Sequence, residues 1–150
     1  MFRGNHPAKV DDKGRLKLPS AFKQMLEARS VTQFFITSED GESAQIWPLP
    51  DWEERENKLA PYSMDESIQC YLDQTSYYGQ QVEIDSQARV LLPQILRSSA
   101  QLDEEVVVLG KMQYLEVVHR ATFENRLQAR KLTSEHRQRV ASILQPGPVA

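Results

Sequence analysis

The first thirty residues carry cations at spacings that suit contact with an anionic polymer. Arg15 and Lys17 flank Leu16, so on an extended backbone both leave one face while Leu16 and Leu18 leave the other. Lys13 stands in the turn ahead of them, and Arg3 and Lys9 lie on the segment leading in. Cations held on a hydrogen-bonded platform can neutralise phosphates, and the planar fork of arginine can also grip a guanine edge through two hydrogen bonds. Asp11 precedes Arg15 by four residues, close enough to hold its side chain across the turn, and Gly14 gives that turn backbone freedom. A plainer reading competes with this one. An alternating basic strand is also what a solvated sheet face with a self-satisfied Arg–Asp pair looks like, and spacing alone leaves both open.

The same unit recurs. Asp11-Asp12-Lys13-Gly14-Arg15-Leu16-Lys17-Leu18-Pro19 aligns without a gap on Asp85-Ser86-Gln87-Ala88-Arg89-Val90-Leu91-Leu92-Pro93, an offset of 74 residues. Repetition of Asp-x-x-x-Arg favours a shared task over a chance pairing. The alignment continues with Phe22 on Leu96, Lys23 on Arg97 and Phe34-Phe35 on Val108-Leu109. With a small gap, Gln45-Ile46-Trp47 pairs with Glu116-Val117-Val118 and Asp51-Trp52-Glu53 with Thr122-Phe123-Glu124. Two copies do not make a stacking array, so duplication of a small unit that once dimerised is the simpler account. The copies are unequal: Lys9, Lys13, Arg15 and Lys17 correspond to Glu83, Gln87, Arg89 and Leu91, and only the arginine is kept. The first copy is therefore expected to supply most of the electrostatic attraction.

The elements that position these residues follow the same order in each half. A turn leads into a short strand, and the proline ends the strand and can start a helix, where its missing N–H costs nothing. Phe22, Met25 and Leu26 recur at helical spacing. Strands are expected at 32–37 and 106–109, then around 45–47 and 114–118. Asp51 with Glu54 marks a helix running to Leu59, 64–78 reads as a linking helix, and 123–144 as a final helix. In that last helix Arg126, Arg130, Lys131, Arg137 and Arg139 interleave with Leu127, Leu132, Val140 and Leu144, a pattern that favours an amphipathic docking helix and leaves contact with nucleic acid or an anionic surface as the alternative. Residues 145–150 read as a disordered Pro/Gly tail. Neither half has the strands to close a sheet alone, and intertwining the two would solve that.

Composition narrows the classes. The 150 residues are 40% hydrophobic and 8% aromatic, enough for a packed core. The apolar run Val106-Val107-Val108-Leu109 is far short of a membrane span, and charges interrupt the N-terminus where a secretory signal would be apolar. One cysteine, Cys70, permits no intrachain disulfide; an intracellular setting fits, and the residue itself reads as a small buried one. The net charge of −3 conceals segregation. Residues 1–30 hold seven basic and three acidic residues, residues 31–85 two and twelve, and residues 86–150 nine and six. Such a chain can carry one positive and one negative face. Catalysis finds little support: His6, His119 and His136 are scattered, the glycines are isolated, and no nucleophile-elbow pattern is present. Glu53, Glu54 and Glu56 read as a solvated helix face, and Trp47 and Trp52 as core.

Together, the opening Met1-Phe2-Arg3-Gly4, the Asp-Asp-Lys-Gly-Arg-Leu-Lys-Leu-Pro unit, the stretch Trp47-Pro48-Leu49-Pro50-Asp51-Trp52-Glu53 and the degenerate second copy resemble the MraZ family over residues 1–130. That resemblance implies a bacterial DNA-binding transcriptional regulator. It implies an α+β fold in which two AbrB-like swapped-hairpin halves, related to the AbrB and SpoVT proteins, form a pseudo-dimer within one chain, with connecting and C-terminal helices. It further implies ring-shaped homo-oligomers that bind double-stranded promoter DNA at short tandem direct repeats, upstream of the division and cell-wall gene cluster that includes their own gene. A cytoplasmic, nucleoid-associated location goes with it, and no cofactor, metal, small-molecule substrate, membrane or reaction does. Carried onto this sequence, the Asp-x-x-x-Arg motif makes Arg15 and Arg89 the DNA-reading residues with Asp11 and Asp85 in support; Lys13, Lys17, Arg3, Lys9 and Gly14 join them from the residue reading above. The expected divisions are a first half at 1–53, a helical linker at 54–78, a second half at 79–124 and a C-terminal helix and tail at 125–150. Two departures stand out. Ala88 occupies a position where members usually carry glycine, which makes a positive-φ turn costlier, and residues 65–78 hold no Lys or Arg where members commonly keep arginines. The alternative from another class is an antitoxin-like interaction module whose acidic middle segment docks a partner protein.

Overall fold

Strand structure begins earlier than hydrophobic alternation suggests. In the computed structural model, which describes residues 1–147, Asn5–Lys9 forms strand β1. The strand is polar and contains Pro7, which removes a ladder donor; it is tolerated because β1 lies at the edge of a sheet. β5 (Gln80–Glu83) holds the opposite edge. Edge strands need little apolar surface, and so neither is announced by the sequence pattern.

Between β1 and β5 run β2 (Arg15–Lys17), α1 (Ser20–Ala28), β3 (Gln33–Thr37), β4 (Ala44–Pro48), α2 (Leu49–Leu59) and α3 (Glu66–Tyr77). After β5 come β6 (Arg89–Leu91), α4 (Gln94–Ser99), β7 (Glu105–Lys111) and β8 (Tyr114–His119). Pro19 and Pro93, both at φ −55°, cap α1 and α4 from the residue just before each helix. α1 turns Phe22 and Leu26 into the core and packs Met25 partly against it.

Six strands form one antiparallel sheet in the order β1-β7-β8-β4-β3-β5, and β2 pairs with β6 in a separate two-stranded ribbon. Each edge strand lies against a strand of the other half: β1 on β7, β5 on β3. The halves also meet in the middle, where β4 pairs with β8 through Ala44–Val117 and Ile46–Leu115. The fold is therefore α+β, with two swapped halves forming an intrachain pseudo-dimer over one core that includes Leu16, Phe22, Phe34, Ile46, Val90 and Leu96. The register corrects one expectation. Ala8 faces Val106 and its 74-residue counterpart Val82 faces Phe34, so Phe34 corresponds to Val106, not Val108. The second copy spends two residues fewer between its proline and this strand. The pairing of Gln45-Ile46-Trp47 with Glu116-Val117-Val118 fits the ladder as aligned.

Trp47 and Trp52 are buried, with Phe35 stacked on Trp52 and Tyr114 on Trp47 at 4.7 and 4.8 Å between ring centres. The Arg55 guanidinium lies over Trp47 and Tyr71, and its Nε donates to the Tyr71 hydroxyl at 2.8 Å. α3 starts at the Asp65 cap and packs through a stripe of Ile68, Tyr71, Leu72 and Thr75. Cys70 lies off that stripe and is exposed, contrary to the buried position expected for it. Glu53, Glu54 and Glu56 face solvent.

The chain divides into two compact units, Met1–Arg120 and a second beginning at Ala121. The single final helix expected at 123–144 is two helices, α5 (Arg120–Ala129) and α6 (Ser134–Leu144). Thr133 causes the break: its hydroxyl accepts from the His136 N–H while His136 Nδ1 accepts from the Thr133 N–H, a reciprocal cap that starts a new helix. Leu127, Leu132, Val140 and Leu144 are all more than half exposed. The expected tail at 145–150 ends in 148–150, which lie outside the described residues.

Candidate nucleic-acid interface

β2 and β6 pair antiparallel with Arg15 opposite Leu91, Leu16 opposite Val90 and Lys17 opposite Arg89. Strand alternation then sends Leu16 and Val90 to one side, where both are fully buried, and Arg15, Lys17, Arg89 and Leu91 to the other. The motif that recurs in sequence is thus one object in space, a ribbon with a pseudo-two-fold axis through the Leu16–Val90 pair. The Leu18 N–H donates to Ala88 O at 2.9 Å and its mate, the Leu92 N–H, to Gly14 O at 2.9 Å. That pattern puts Arg15–Leu91 and Lys17–Arg89 at non-hydrogen-bonded positions, where facing side chains come closest.

The turns ahead of the two strands are superimposable in their hydrogen bonds. Asp11 Oδ1 accepts from the backbone N–H of Lys13 at 3.0 Å and of Arg15 at 2.8 Å, and Asp11 Oδ2 accepts from Arg15 Nε at 2.8 Å. Asp85 repeats this with Gln87 at 2.9 Å, the Arg89 N–H at 2.9 Å and Arg89 Nε at 2.8 Å. Both carboxyls are held below the ordinary aspartate range, chiefly by the backbone N–H of the arginine, then by its guanidinium, against an opposing desolvation. The bracket matters for what it leaves over. Each carboxylate takes only the Nε edge of its arginine, so the two terminal nitrogens make no hydrogen bond within the described chain. Both side chains stay partly exposed, at 30% and 23%. The competing readings of the sequence are therefore compatible: the pair is satisfied, and the guanidinium fork is aimed outward and free to grip a guanine edge or a phosphate.

The surroundings of the turns differ. Gly14 has φ +85°, and a Cβ there would stand 2.3 Å from Arg97 Cζ, so the Arg97 guanidinium lies flat on the glycine while its Nε donates to Leu92 O at 3.2 Å. At the equivalent place Ala88 takes φ 61° with its Cβ buried, and Lys23, the counterpart of Arg97, reaches Glu27 at 3.7 Å. A cavity of 320 Å³, bordered by Lys23, Asp85, Ser86 and Ala88, is left beside the second turn. The second copy thus keeps the left-handed turn without a glycine. Sequence alignment pairs Lys23 with Arg97, but only the fold reveals that Arg97 covers the other half's turn while Lys23 turns to Glu27 and merely borders the cavity beside the second turn.

Lys13, Arg15, Lys17 and Arg89 are brought together on the ribbon. Lys9 ends β1 beside the first turn, where Val10 bridges to Leu16. Arg3 is exposed at the other end of β1, next to the β7–β8 turn, roughly 20 Å along the strand. Among the described residues no His, Cys, Asp or Glu group has the arrangement of a metal site, and no helix is long and apolar enough to cross a membrane.

Comparison with known proteins decides the family. A family model described as "MraZ protein, putative antitoxin-like" matches residues 79–142. Transcriptional regulator MraZ of Acidobacterium capsulatum is 51% identical over 144 residues, covering 95% of this chain and 99% of that protein. The chain belongs to the MraZ family. Transcriptional regulator MraZ of Koribacter versatilis is 41% identical with the same coverage, and that of Thiobacillus denitrificans 34% over 83% of this chain and 84% of its own. MraZ is a family of transcriptional regulators, not of enzymes. The family model falls on the second copy of the repeat, the one with fewer cations.

Proposed function

We propose that the β2–β6 ribbon reads double-stranded DNA and that this MraZ protein is a sequence-specific transcriptional regulator. One observation carries the proposal: two identical Asp–Arg brackets hold guanidinium forks outward on one face of a ribbon whose other face is core. A two-stranded ribbon has the width to enter a major groove, where arginine forks find guanine edges. In this reading Arg15 and Arg89 contact bases, Lys13, Lys17 and Lys9 draw in phosphates, and Asp11, Asp85 and Gly14 hold the turns. Arg3 lies too far along β1 for the same groove and suits a separate phosphate contact.

The target we propose is the promoter of the division and cell-wall gene cluster that includes the protein's own gene, at short tandem direct repeats, with the protein acting on the nucleoid as a ring-shaped homo-oligomer. One ribbon covers few base pairs, so its affinity alone is modest; several ribbons linked in a ring gain steeply through effective concentration. A gel-shift of the pure protein on its own upstream region, across a salt series, tests this. Binding is expected to weaken with salt, with a logarithmic slope of about −0.9 per phosphate neutralised. No shift at low salt would overturn the reading, and affinity flat from low to moderate salt would remove its electrostatic basis.

A second reading rests on the acidic middle of the chain. α2 and α3 expose Glu53, Glu54, Glu56, Glu66 and Asp73, a surface suited to a basic partner protein, and partners retained after nuclease treatment of a host lysate would favour that module.

A further inference from the structure

The recognition face holds one residue that no phosphate or guanine can use. Leu91 is 46% exposed, directly across the ribbon from Arg15 and two residues along from Arg89. Its pseudo-symmetric mate is Lys17, also on this face. At such a position facing Cα atoms lie about 4.5 Å apart. A lone exposed leucine needs no explanation on an ordinary surface. Here it sits among three cations on the side of the ribbon turned away from the core, so whatever binds those cations also covers it. Against a phosphate the leucine would desolvate an anion and return no hydrogen bond. In the major groove only one base edge is apolar, the C5-methyl group of thymine.

We infer that Leu91 is a specificity-determining residue that contacts a thymine methyl, and that the ribbon therefore reads an asymmetric site: a thymine on the Leu91 side where the Lys17 side meets guanine or phosphate. This rests on the ribbon being the DNA reader. It also gives a reason for operators built as direct repeats rather than inverted ones. A pseudo-dimer with unlike residues at mated positions has no use for a palindrome, and each copy of the chain would read one directional unit.

The full-length protein is used to select bound duplexes from a random-sequence pool. Each thymine of the selected duplex is then replaced singly by deoxyuridine, which lacks only the methyl group. One replacement is expected to weaken binding about threefold to fivefold in the unaltered protein. Leu91→Ala should bind the thymine duplex that much more weakly and become indifferent to the replacement, and Leu91→Lys should select a more symmetric site. The inference is overturned if no thymine is sensitive, or if the sensitivity survives in Leu91→Ala, while Arg15→Ala still weakens binding; the ribbon would then read DNA without Leu91. Enrichment of no sequence at all, with Arg15→Ala without effect, would overturn both the inference and the reading beneath it. Because Leu91 is exposed, unchanged thermal unfolding of both variants confirms that the comparison is one of contacts.

Discussion

The two turns that present Arg15 and Arg89 share every hydrogen bond of their brackets and almost nothing of their surroundings. The first is built on Gly14 at φ +85°, covered by the Arg97 side chain, and followed by a strand with a second cation at Lys17. The second is built on Ala88 at φ 61°, open to a cavity on one side, and followed by Leu91. What both retain is the aspartate, the arginine and the left-handed residue before the strand. A duplicated unit freed from exact symmetry keeps the parts that fix the arginine and lets the parts that tune charge and contact diverge. The comparison therefore separates the geometry of presentation, which is common, from the electrostatics of attraction, which belongs mainly to the first copy.

The largest expected effect breaks the geometry where it is tightest. Gly14→Ala places a Cβ in a left-handed residue, costing about 1–2 kcal/mol, and the same atom collides with Arg97. A total loss of about 2–3 kcal/mol in denaturant-monitored stability is expected once the displaced guanidinium is included. A loss below about 1 kcal/mol would mean that Arg97 moves aside freely and that the first turn tolerates what the second already contains.

Next in size is the contrast in binding. Arg15→Ala is expected to cost about 2 kcal/mol of DNA affinity, roughly thirtyfold in Kd, and Arg89→Ala about 1 kcal/mol, roughly fivefold. The larger loss is expected at Arg15 because Lys13 stands in its own turn and Lys9 lies ahead of it, where the second copy has Gln87 and Glu83; the cross-strand pairs work against this difference, since Lys17 faces Arg89 and Leu91 faces Arg15. Fluorescence anisotropy on one duplex at fixed salt measures both. Equal or reversed losses, with unfolding curves unchanged, would show that charge asymmetry does not govern the contact.

This much of the site was legible in the sequence because its determinants are local. An aspartate that closes a turn onto an arginine four residues later, and a strand of period two, are short-range patterns. The intertwining of halves was legible as a need, since neither half could close a sheet. Which strands met was not: β1 and β5 are polar edge strands whose pairing is set by partners distant in the chain, β7 and β3, rather than by their own residues. The meeting of β2 with β6 likewise comes from the swap, and with it the placing of Leu91 beside Arg15 instead of on a separate, more neutral face. Arg97 covering Gly14 is a tertiary contact with no spacing signal. The break at Thr133 had a signal, a threonine followed three residues later by a side chain able to return the cap, but His136 is an unusual residue for that position.

A smaller effect should run in the opposite direction at the second turn. Ala88→Gly relieves the left-handed cost and gives back some unfolded-state entropy, for a net gain of at most about 1 kcal/mol. Thermal unfolding reads it, and a loss of stability would mean that the buried Ala88 Cβ contributes more to packing than its backbone costs. Gly14→Ala and Ala88→Gly together then form a matched exchange, in which opposite signs show that the turns share one backbone conformation and differ only in who tolerates it.

The smallest effect concerns what the copies have in common. Asp11 and Asp85 are both held below the aspartate value of about 3.9, so each binds protons less readily in the folded chain than in the unfolded one. Their contribution to stability is therefore fully present above that value and is lost as the pH falls through the lower folded one. Melting temperature followed downward from mildly acidic pH should decline, and Asp11→Asn or Asp85→Asn should each flatten the decline by a similar small amount, because an amide keeps the turn's acceptor but has nothing to titrate. The similarity is the informative part. If Asp85→Asn flattened the curve and Asp11→Asn did not, the nearby Arg97 would already be holding the first turn without its carboxylate, and the geometry of presentation would be as unequal as the charge.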